Sequence, residues 1–328
     1  MVTDPQHTLR IGPLSLETPI LLAPMAGYTS LPFRTIVRRM GGLGMAFAEM
    51  VNPQSVLWGG GKRRAEILAT DPADRPLGYQ IYGTDPRLMC DTARWLEERG
   101  ATLIDINMGC PRREITSCGA GSALLKEPIK AARLAEQVVA SVSIPVTAKL
   151  RLGWEAGSMV APDLARDLER AGVAAVTVHG RTRAQAFAGE VDLGGIRRVV
   201  EAVERIPVIG NGDVTSPEAA LRMLRETGCA GVMVARGAIR DPWLIRDVWQ
   251  ALRGLPPLPE PTRAERARLL LELFEGCVLH HGEKHAVPAF RKWIPEASKK
   301  LGLSKEAMIR LLRIDEVDDV RQALAGLS

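Results

Sequence analysis

Leu103-Ile104-Asp105-Ile106-Asn107-Met108-Gly109-Cys110-Pro111, residues 103–111, joins a short apolar run to a glycine, a single thiol and a proline. Leu103, Ile104 and Ile106 predict a buried strand. Gly109 opens backbone conformations closed to other residues. Pro111 fixes its own φ and disfavours helix at Cys110. Cys110 is therefore expected on a stiff loop at the C-terminal end of a strand, with Arg112 and Arg113 directly after it. A thiol held beside cations at a strand tip suits proton transfer next to an anionic partner. The plainer alternative is a structural thiol, since free Cys often serves as a small hydrophobe.

Outward from this stretch the same unit recurs. Strands are expected near Ile20–Ala23, Gly44–Glu49, Pro76–Ile81, Leu103–Asn107, Val146–Leu150, Ala174–His179, Pro207–Asn211 and Gly231–Ala235. Helical periodicity fills the gaps, as in Arg87–Arg99, Ile129–Val142 and Ala161–Ala171. Strand–helix alternation argues for a parallel sheet. Such units over about 250 residues predict an α/β fold of the (β/α)8 TIM-barrel type. A doubly wound open sheet is the alternative. It is weakened because no Gly-x-Gly-x-x-Gly turn follows the first strand, and Gly119-Ala120-Gly121 does not match that spacing.

Leu255-Pro256-Pro257-Leu258-Pro259-Glu260-Pro261 can be neither helix nor central strand. Beyond it only helical periodicity remains, as in Arg263–Leu279 and Lys305–Leu312. The expected organisation is a catalytic barrel over 1–250, a Pro-rich linker over 251–261 and a small C-terminal all-helical domain over 262–328. With 46% hydrophobic and 25% charged residues, the chain has the composition of a globular protein with an ordinary core. Its net charge of +5 permits a polyanionic partner without requiring one. Five scattered cysteines with no Cys-x-x-Cys pair argue against structural zinc and against a disulfide framework. No metal is expected. Met1–Pro5 shows no charged region leading into an apolar one, and no apolar run approaches the roughly 18 residues of a membrane span. A cytoplasmic protein without membrane attachment is expected.

In a barrel, chemistry gathers at the C-terminal strand ends. The residues there are Ala23-Pro24-Met25-Ala26, Glu49-Met50, Gln80, Asn107 with Cys110, Lys149, His179 with Arg181, Asn211-Gly212-Asp213 and Ala235-Arg236. A lone His179 is usually structural, and Asn211-Gly212-Asp213 alone is an ordinary turn. Together they describe a site. The last two tips can bind phosphate through backbone N–H groups and the Arg236 guanidinium. Pro24, Met25 and Ala26 offer a rigid apolar wall for a flat ring. Lys149 can put positive charge beside a ring that becomes anionic on reduction. A phosphorylated planar cofactor fits these features, FMN better than a dinucleotide.

These residues carry a resemblance. Ala23-Pro24-Met25-Ala26-Gly27, Gln80-Ile81-Tyr82-Gly83, Asp105 to Pro111, Gly121-Ser122-Ala123-Leu124-Leu125, Lys149-Leu150-Arg151, Val178-His179-Gly180-Arg181-Thr182, Gly210-Asn211-Gly212-Asp213 and Ala235-Arg236-Gly237 occur in this order. The chain resembles the tRNA-dihydrouridine synthases, most of all their bacterial B branch. The resemblance implies FMN-dependent reduction of the C5–C6 bond of a uridine in tRNA, with NADPH (or NADH) as electron source. It implies that hydride reaches C6 and that Cys110 protonates C5; ordinary thiols are mostly protonated at neutral pH. Gln80, Lys149 and His179 are implied flavin contacts, with phosphate at Asn211–Asp213 and Ala235–Arg236. Asn107 is expected on the uracil edge and Arg181 at a uracil carbonyl. Arg112 and Arg113 are expected to face RNA phosphate. The chain departs from the family pattern at Thr116-Ser117-Cys118, where basic residues are common, and at Trp293, where Arg-Lys-His is common.

A target base inside folded RNA must be extruded to be reached. Arg34, Lys62, Arg63, Arg64, Arg112, Arg113 and Arg183 follow strand tips and are expected around the same barrel mouth. Arg291, Lys292, Lys299 and Lys300 are expected to add a basic patch on the tail, although Lys299 and Lys300 taken singly read better as solvated charges. The protein is expected to be a monomer. The nearest rival function is an FMN barrel enzyme acting on a free pyrimidine, of the dihydroorotate or dihydropyrimidine dehydrogenase type. A more distant one is a nucleic-acid-binding regulator that keeps the barrel without catalysis.

Overall fold

The computed structural model describes residues 8–327, without the side chains of residues 62 and 63. Its first strands, β1 (Leu9–Ile11) and β2 (Leu14–Leu16), form an antiparallel hairpin. Eight strands follow: β3 (Ile20–Leu22), β4 (Met45–Phe47), β5 (Leu77–Ile81), β6 (Leu103–Met108), β7 (Val146–Arg151), β8 (Ala175–His179), β9 (Val208–Asn211) and β10 (Gly231–Val234). They close into one parallel barrel in the order β10-β3-β4-β5-β6-β7-β8-β9. All eight expected strands are present, each within a few residues of its expected ends. The hairpin was not anticipated. Leu9, Ile11 and Leu16 pack against Leu21, Met45, Leu103, Ala175, Ile209 and Met233. Most of these are early residues of the strands, so the hairpin plugs the N-terminal end of the barrel.

Side chains alternate along a strand, so residues two apart share a face. On β6, Ile104, Ile106 and Met108 belong to the layer between barrel and helices, whereas Leu103 belongs to the hairpin-plugged interior. Asp105 and Asn107 therefore face the barrel interior above Leu103. The parallel register sets Asp105 beside Gln80 and Thr147, and Asn107 beside Lys149. It continues through Arg151 beside His179 and His179 beside Asn211. A polar band thus rings the upper interior over an apolar floor.

The helix Leu244–Leu252 covers residues 251 and 252, so the extended segment starts later than the linker expected from 251. The tail begins with the helix Arg263–His281, closed at its N-terminus by a capping box of Thr262 and Glu265. Helices Glu283–Phe290, Ile294–Leu301, Lys305–Leu312 and Val317–Ala325 follow. The tail docks on the helix Leu31–Met40. At Gly276 an added Cβ would lie 2.8 Å from Pro32 Cβ, so the approach requires glycine. Trp293 is buried, with its ring centroid 4.6 Å from Phe33 and 5.0 Å from Tyr28. The departure at Trp293 is thereby a packing feature that locks tail to barrel.

Candidate active site

A cleft of about 350 Å³ opens at the C-terminal end of the barrel. That lies within the roughly 300–1,000 Å³ usual for ligand pockets. Pro24, Met25, Ala26, Gln80, Asn107, Cys110, Arg112, Lys149, His179, Asn211, Gly212, Asp213, Ala235 and Arg236 all line it. Arg113, Arg181, Arg291 and Lys292 do not.

Cys110 is held through its backbone from several sides. Asn107 Oδ1 accepts from the N–H groups of Gly109 at 3.1 Å and Cys110 at 2.9 Å. The carbonyl of Cys110 accepts from Ser122 N at 3.1 Å and Ser122 Oγ at 2.9 Å. Arg151 Nε donates to the carbonyl of Gly109 at 2.8 Å. Gly121 has φ +60°, and a Cβ there would meet the Cys110 carbonyl at 2.9 Å. The thiol itself is half-buried and free of any disulfide. The geometry leaves the sulfur at the cleft with its backbone fixed.

Across the mouth lies a group of cations. Lys149 Nζ donates to Asn211 Oδ1 at 2.9 Å, and Asn211 Nδ2 donates to the Met233 carbonyl at 2.7 Å. Burial, aided by Arg151, pushes Lys149 down to about 8. Burial, aided by Arg181, pushes Arg151 down to about 10. His179 is held neutral, well below its ordinary range, by burial and then by the charges of Lys149, Arg151, Arg181 and Arg236. Its Nε2 lies 3.4 Å from Arg181 Nη1, a pure donor, so Nε2 accepts and Nδ1 carries the proton. Cations that disfavour one another's charge form a pocket that favours an anion. Deeper in the barrel, burial pushes Asp105 up to about 6 against hydrogen bonds from Gln80 and Thr147.

Close backbone approach marks the two phosphate-type tips. Gly212 has φ +113°, and a Cβ there would lie 2.7 Å from His179 Cδ2. At Gly237 a Cβ would lie 2.3 Å from the Val214 carbonyl oxygen. The exposed guanidinium of Arg236 stands beside them, with Nη2 3.6 Å from Asp213 Oδ1 and Cζ 4.5 Å from the Phe187 ring centroid. Cleft-lining loops packed tightly at Gly212 and Gly237, an exposed Arg and a surplus of cations fit a phosphorylated, electron-accepting ring. The Asp213 carboxylate is turned to Arg181 and Arg236, so only its backbone suits an anion.

Several expectations are corrected. Arg181 is buried and spent: it makes a two-pronged pair with Asp213 and donates to the carbonyls of Ala188 and Gly189, so it does not face a uracil carbonyl. Asn107 gives its oxygen to the Cys110 loop and its nitrogen to Gln80 Oε1 at 2.7 Å, which takes its amide away from the uracil edge. Gln80 in turn donates to Asp105 at 2.6 Å. Arg34 is a buried ion-pair partner of Asp74, not part of a basic rim. Arg183 stacks on Trp154 and Arg64 on Trp95. Arg291 is tied to the Ile314 carbonyl and Asp315 within the tail. The side chains of Lys62 and Arg63 lie outside the described residues. Arg112 and Arg113 are exposed beside the cleft. Lys292 stands 5.3 Å from the ring of Tyr28, a cleft residue, where the tail meets the first barrel loop.

Arg151, present in the strand-tip motif but given no role there, and Phe187 also shape the site. Arg151 lines the cleft and ties the Cys110 loop to the loop after β8 through the carbonyls of Thr182 and Ala186. Its place two residues beyond Lys149 on one strand face was the available signal. Phe187, 55% exposed, stands over the mouth beside Arg151 and Arg236. No sequence pattern singled it out. Among the described residues no cluster of three or more His, Cys, Asp or Glu is arranged to hold a metal, and no helix is long and apolar enough to cross a membrane.

The family model described as "Dihydrouridine synthase (Dus)" matches residues 21–323. The chain is 37% identical to tRNA-dihydrouridine synthase B of Pseudomonas aeruginosa, over 97% of this chain and 96% of that protein. It is 39% identical to tRNA-dihydrouridine synthase B of Pseudomonas syringae pv. tomato, over 87% of this chain and 84% of that one. It is also 39% identical to a probable tRNA-dihydrouridine synthase of Rhodobacter capsulatus, over 89% and 90% respectively. Among solved structures, histamine dehydrogenase from Rhizobium sp. 4-9 superposes with a TM-score of 0.57 at 15% identity, covering 82% of this chain. This chain spans 50% of that protein's length, and the likeness concerns the fold alone.

Proposed function

The chain belongs to the dihydrouridine synthase family, and we propose that it reduces the C5–C6 double bond of a uridine in tRNA to 5,6-dihydrouridine, using FMN at the barrel mouth and NADPH as the electron donor. When bound in the cleft, reduced FMN would supply the hydride that C6 of the uracil requires. The protein's own residues do the rest. The loops at Gly212 and Gly237, with Arg236, line the cleft and would hold the cofactor phosphate. Lys149 places a positive charge beside the ring, and neutral His179 offers a hydrogen bond without adding to the cation surplus. Pro24, Met25 and Ala26 supply the apolar wall. The negative charge that develops at C5 of the uracil takes its proton from the Cys110 thiol, and the thiolate is then reprotonated from solvent.

The observation that carries this reading is the clamping of the Cys110 backbone between Asn107 and Ser122, which fixes a lone thiol at the cleft. Exposed Arg112 and Arg113 next to it favour a polyanionic substrate over a free pyrimidine. The tail, with Lys292 at the rim, serves as the tRNA-binding domain. The protein works as a monomer in the cytoplasm; light scattering of the purified protein checks the first point.

The test is anaerobic. NADPH-reduced protein is mixed with tRNA lacking dihydrouridine, with free uridine or with orotate, and flavin reoxidation is followed. Reoxidation by tRNA alone supports the proposal. Reoxidation by a free pyrimidine alone moves the substrate to the small-molecule class.

A further inference from the structure

A hydrogen-bond chain runs through the barrel mouth with its direction set at both ends. At the upper end are the backbone N–H groups of Gly109 and Cys110, which can only donate, and both meet Asn107 Oδ1. That turns Asn107 Nδ2 toward Gln80 Oε1 at 2.7 Å. Gln80 must then point Nε2 inward, where it meets Asp105 Oδ2 at 2.6 Å. Asp105 Oδ1 accepts from the Thr147 hydroxyl at 2.7 Å. Ionised, a carboxylate can only accept. Burial pushes Asp105 up to about 6, and in this arrangement its two oxygens accept from Gln80 Nε2 and the Thr147 hydroxyl. Reversing either amide would set donor against donor at the Cys110 loop or oxygen against oxygen at Asp105.

We propose that Asp105 is a positioning residue that holds from below the polarity of the Gln80–Asn107 amide pair which the loop N–H groups hold from above, so that an amide oxygen stays presented to the backbone of the Cys110 loop. Its bearing on catalysis rests on the reading of Cys110 as proton donor; the polarity itself does not. Asp105 is 1% exposed and does not line the cleft, so it acts only through Gln80 and Asn107. Register makes this possible, because Gln80 stands beside Asp105 on the neighbouring strand and Asn107 is two residues further along the same face.

The chain has a second self-consistent arrangement, which supplies a rescue. Asp105→Asn removes the lower constraint on Gln80 and leaves the loop N–H groups alone to hold the amides. Asn107→Asp still accepts from the loop N–H groups but cannot donate to Gln80. With both changes the carboxylate stands at position 107 and the amide at 105. Position 107 then accepts from the loop and from Gln80 Nε2. Gln80 Oε1 accepts from the amide nitrogen at 105, whose oxygen accepts from Thr147. Gln80, Thr147 and the loop N–H groups are then all partnered, Met50 Sδ alone loses the donor it has at 2.8 Å in Asn107 Nδ2, and the barrel keeps one carboxylate.

The readout is iodoacetamide alkylation of Cys110 in the full-length holoenzyme. It is followed by mass spectrometry of the Cys110 peptide, because Cys90 and Cys118 are also accessible. Alkylation reports exposure and thiolate fraction at that residue. Each single variant should raise the rate about ten-fold, and the double variant should return it to within about three-fold of wild type, a coupling that only interacting groups give. An unchanged rate in Asp105→Asn overturns the proposal. So does a double variant whose effect is the product of the singles, which is what simple loss of packing produces. If Asn107→Asp does not fold alone, a folded double variant with a near-wild-type rate is the rescue, and failure of both beside an unaffected Asp105→Asn overturns it. No tRNA turnover is needed, so failure of the proposed reaction would leave this result standing.

Discussion

At the residue scale, the role proposed for Cys110 separates two halves of the proposed reaction. Cys110→Ala should keep bound flavin and its reduction by NADPH, while dihydrouridine formation falls by about two to four orders of magnitude. Single-turnover kinetics with tRNA check this, and unchanged turnover would remove the thiol from its role. His179 gives a stability prediction. Its folded-state pKa lies well below the unfolded value of 6.5. Below 6.5 the unfolded chain therefore binds a proton that the folded one refuses. The stability associated with neutral His179 is fully present above 6.5 and is lost as pH falls, by up to about 1.4 kcal/mol per unit. Urea unfolding at neutral and mildly acidic pH should show this slope in wild type and a shallower one in His179→Gln.

At the element scale, the helix Leu31–Met40 is the joint between the barrel wall, the segment around Asp74 and the tail. Arg34 crosses from it to Asp74, and also donates to the carbonyls of Thr29 and Ala69. Both partners are buried, at 2% and 0% side-chain exposure. A buried pair is costly to break from one side, because the remaining charge is left without its partner. Asp74→Ala should cost about 3–5 kcal/mol in urea unfolding. Arg39 and Glu272 join the same helix to the tail at an exposed position, so Glu272→Ala should change stability by no more than about 1 kcal/mol. The contrast matters because both pairs look alike in a sequence, and solvent decides which one counts.

At the scale of the whole molecule, the tail is part of the protein's core as well as a candidate RNA surface. Phe33 and Trp293 are buried against each other across the junction. Removal of residues 255–328 would uncover Phe33, Ile36 and their neighbours, and the shortened chain should aggregate or bind a hydrophobic dye. Binding of tRNA should weaken with salt as phosphate contacts release counterions. Replacing both Arg112 and Arg113 by Ala should make the slope of log affinity against log salt shallower by about 2, since each lost phosphate contact removes about 1. Filter binding over a salt series checks it; an unchanged slope would take these two residues off the RNA path.

The sequence by itself determined the barrel, because short apolar runs ending in glycine and polar residues leave a parallel closed sheet as the economical way to bury them. It also determined which strand tips hold chemistry, and most of those residues do share one cleft. Family membership was legible for the same reason, since the motifs lie at those tips in order. Only the tertiary structure decided what each polar side chain does there. Arg181 and Arg236 both follow strand ends, yet one is consumed by Asp213 and backbone carbonyls while the other stands exposed. Asn107 turned out to hold the Cys110 loop, and Asp105 to anchor the amides beneath it. Arg34 left the basic rim for the core. Hydrogen-bond partners come from strands dozens of residues apart, set by register and closure of the barrel. One-dimensional spacing names the residues at a strand tip, but only three-dimensional packing settles which of their donors and acceptors remain free.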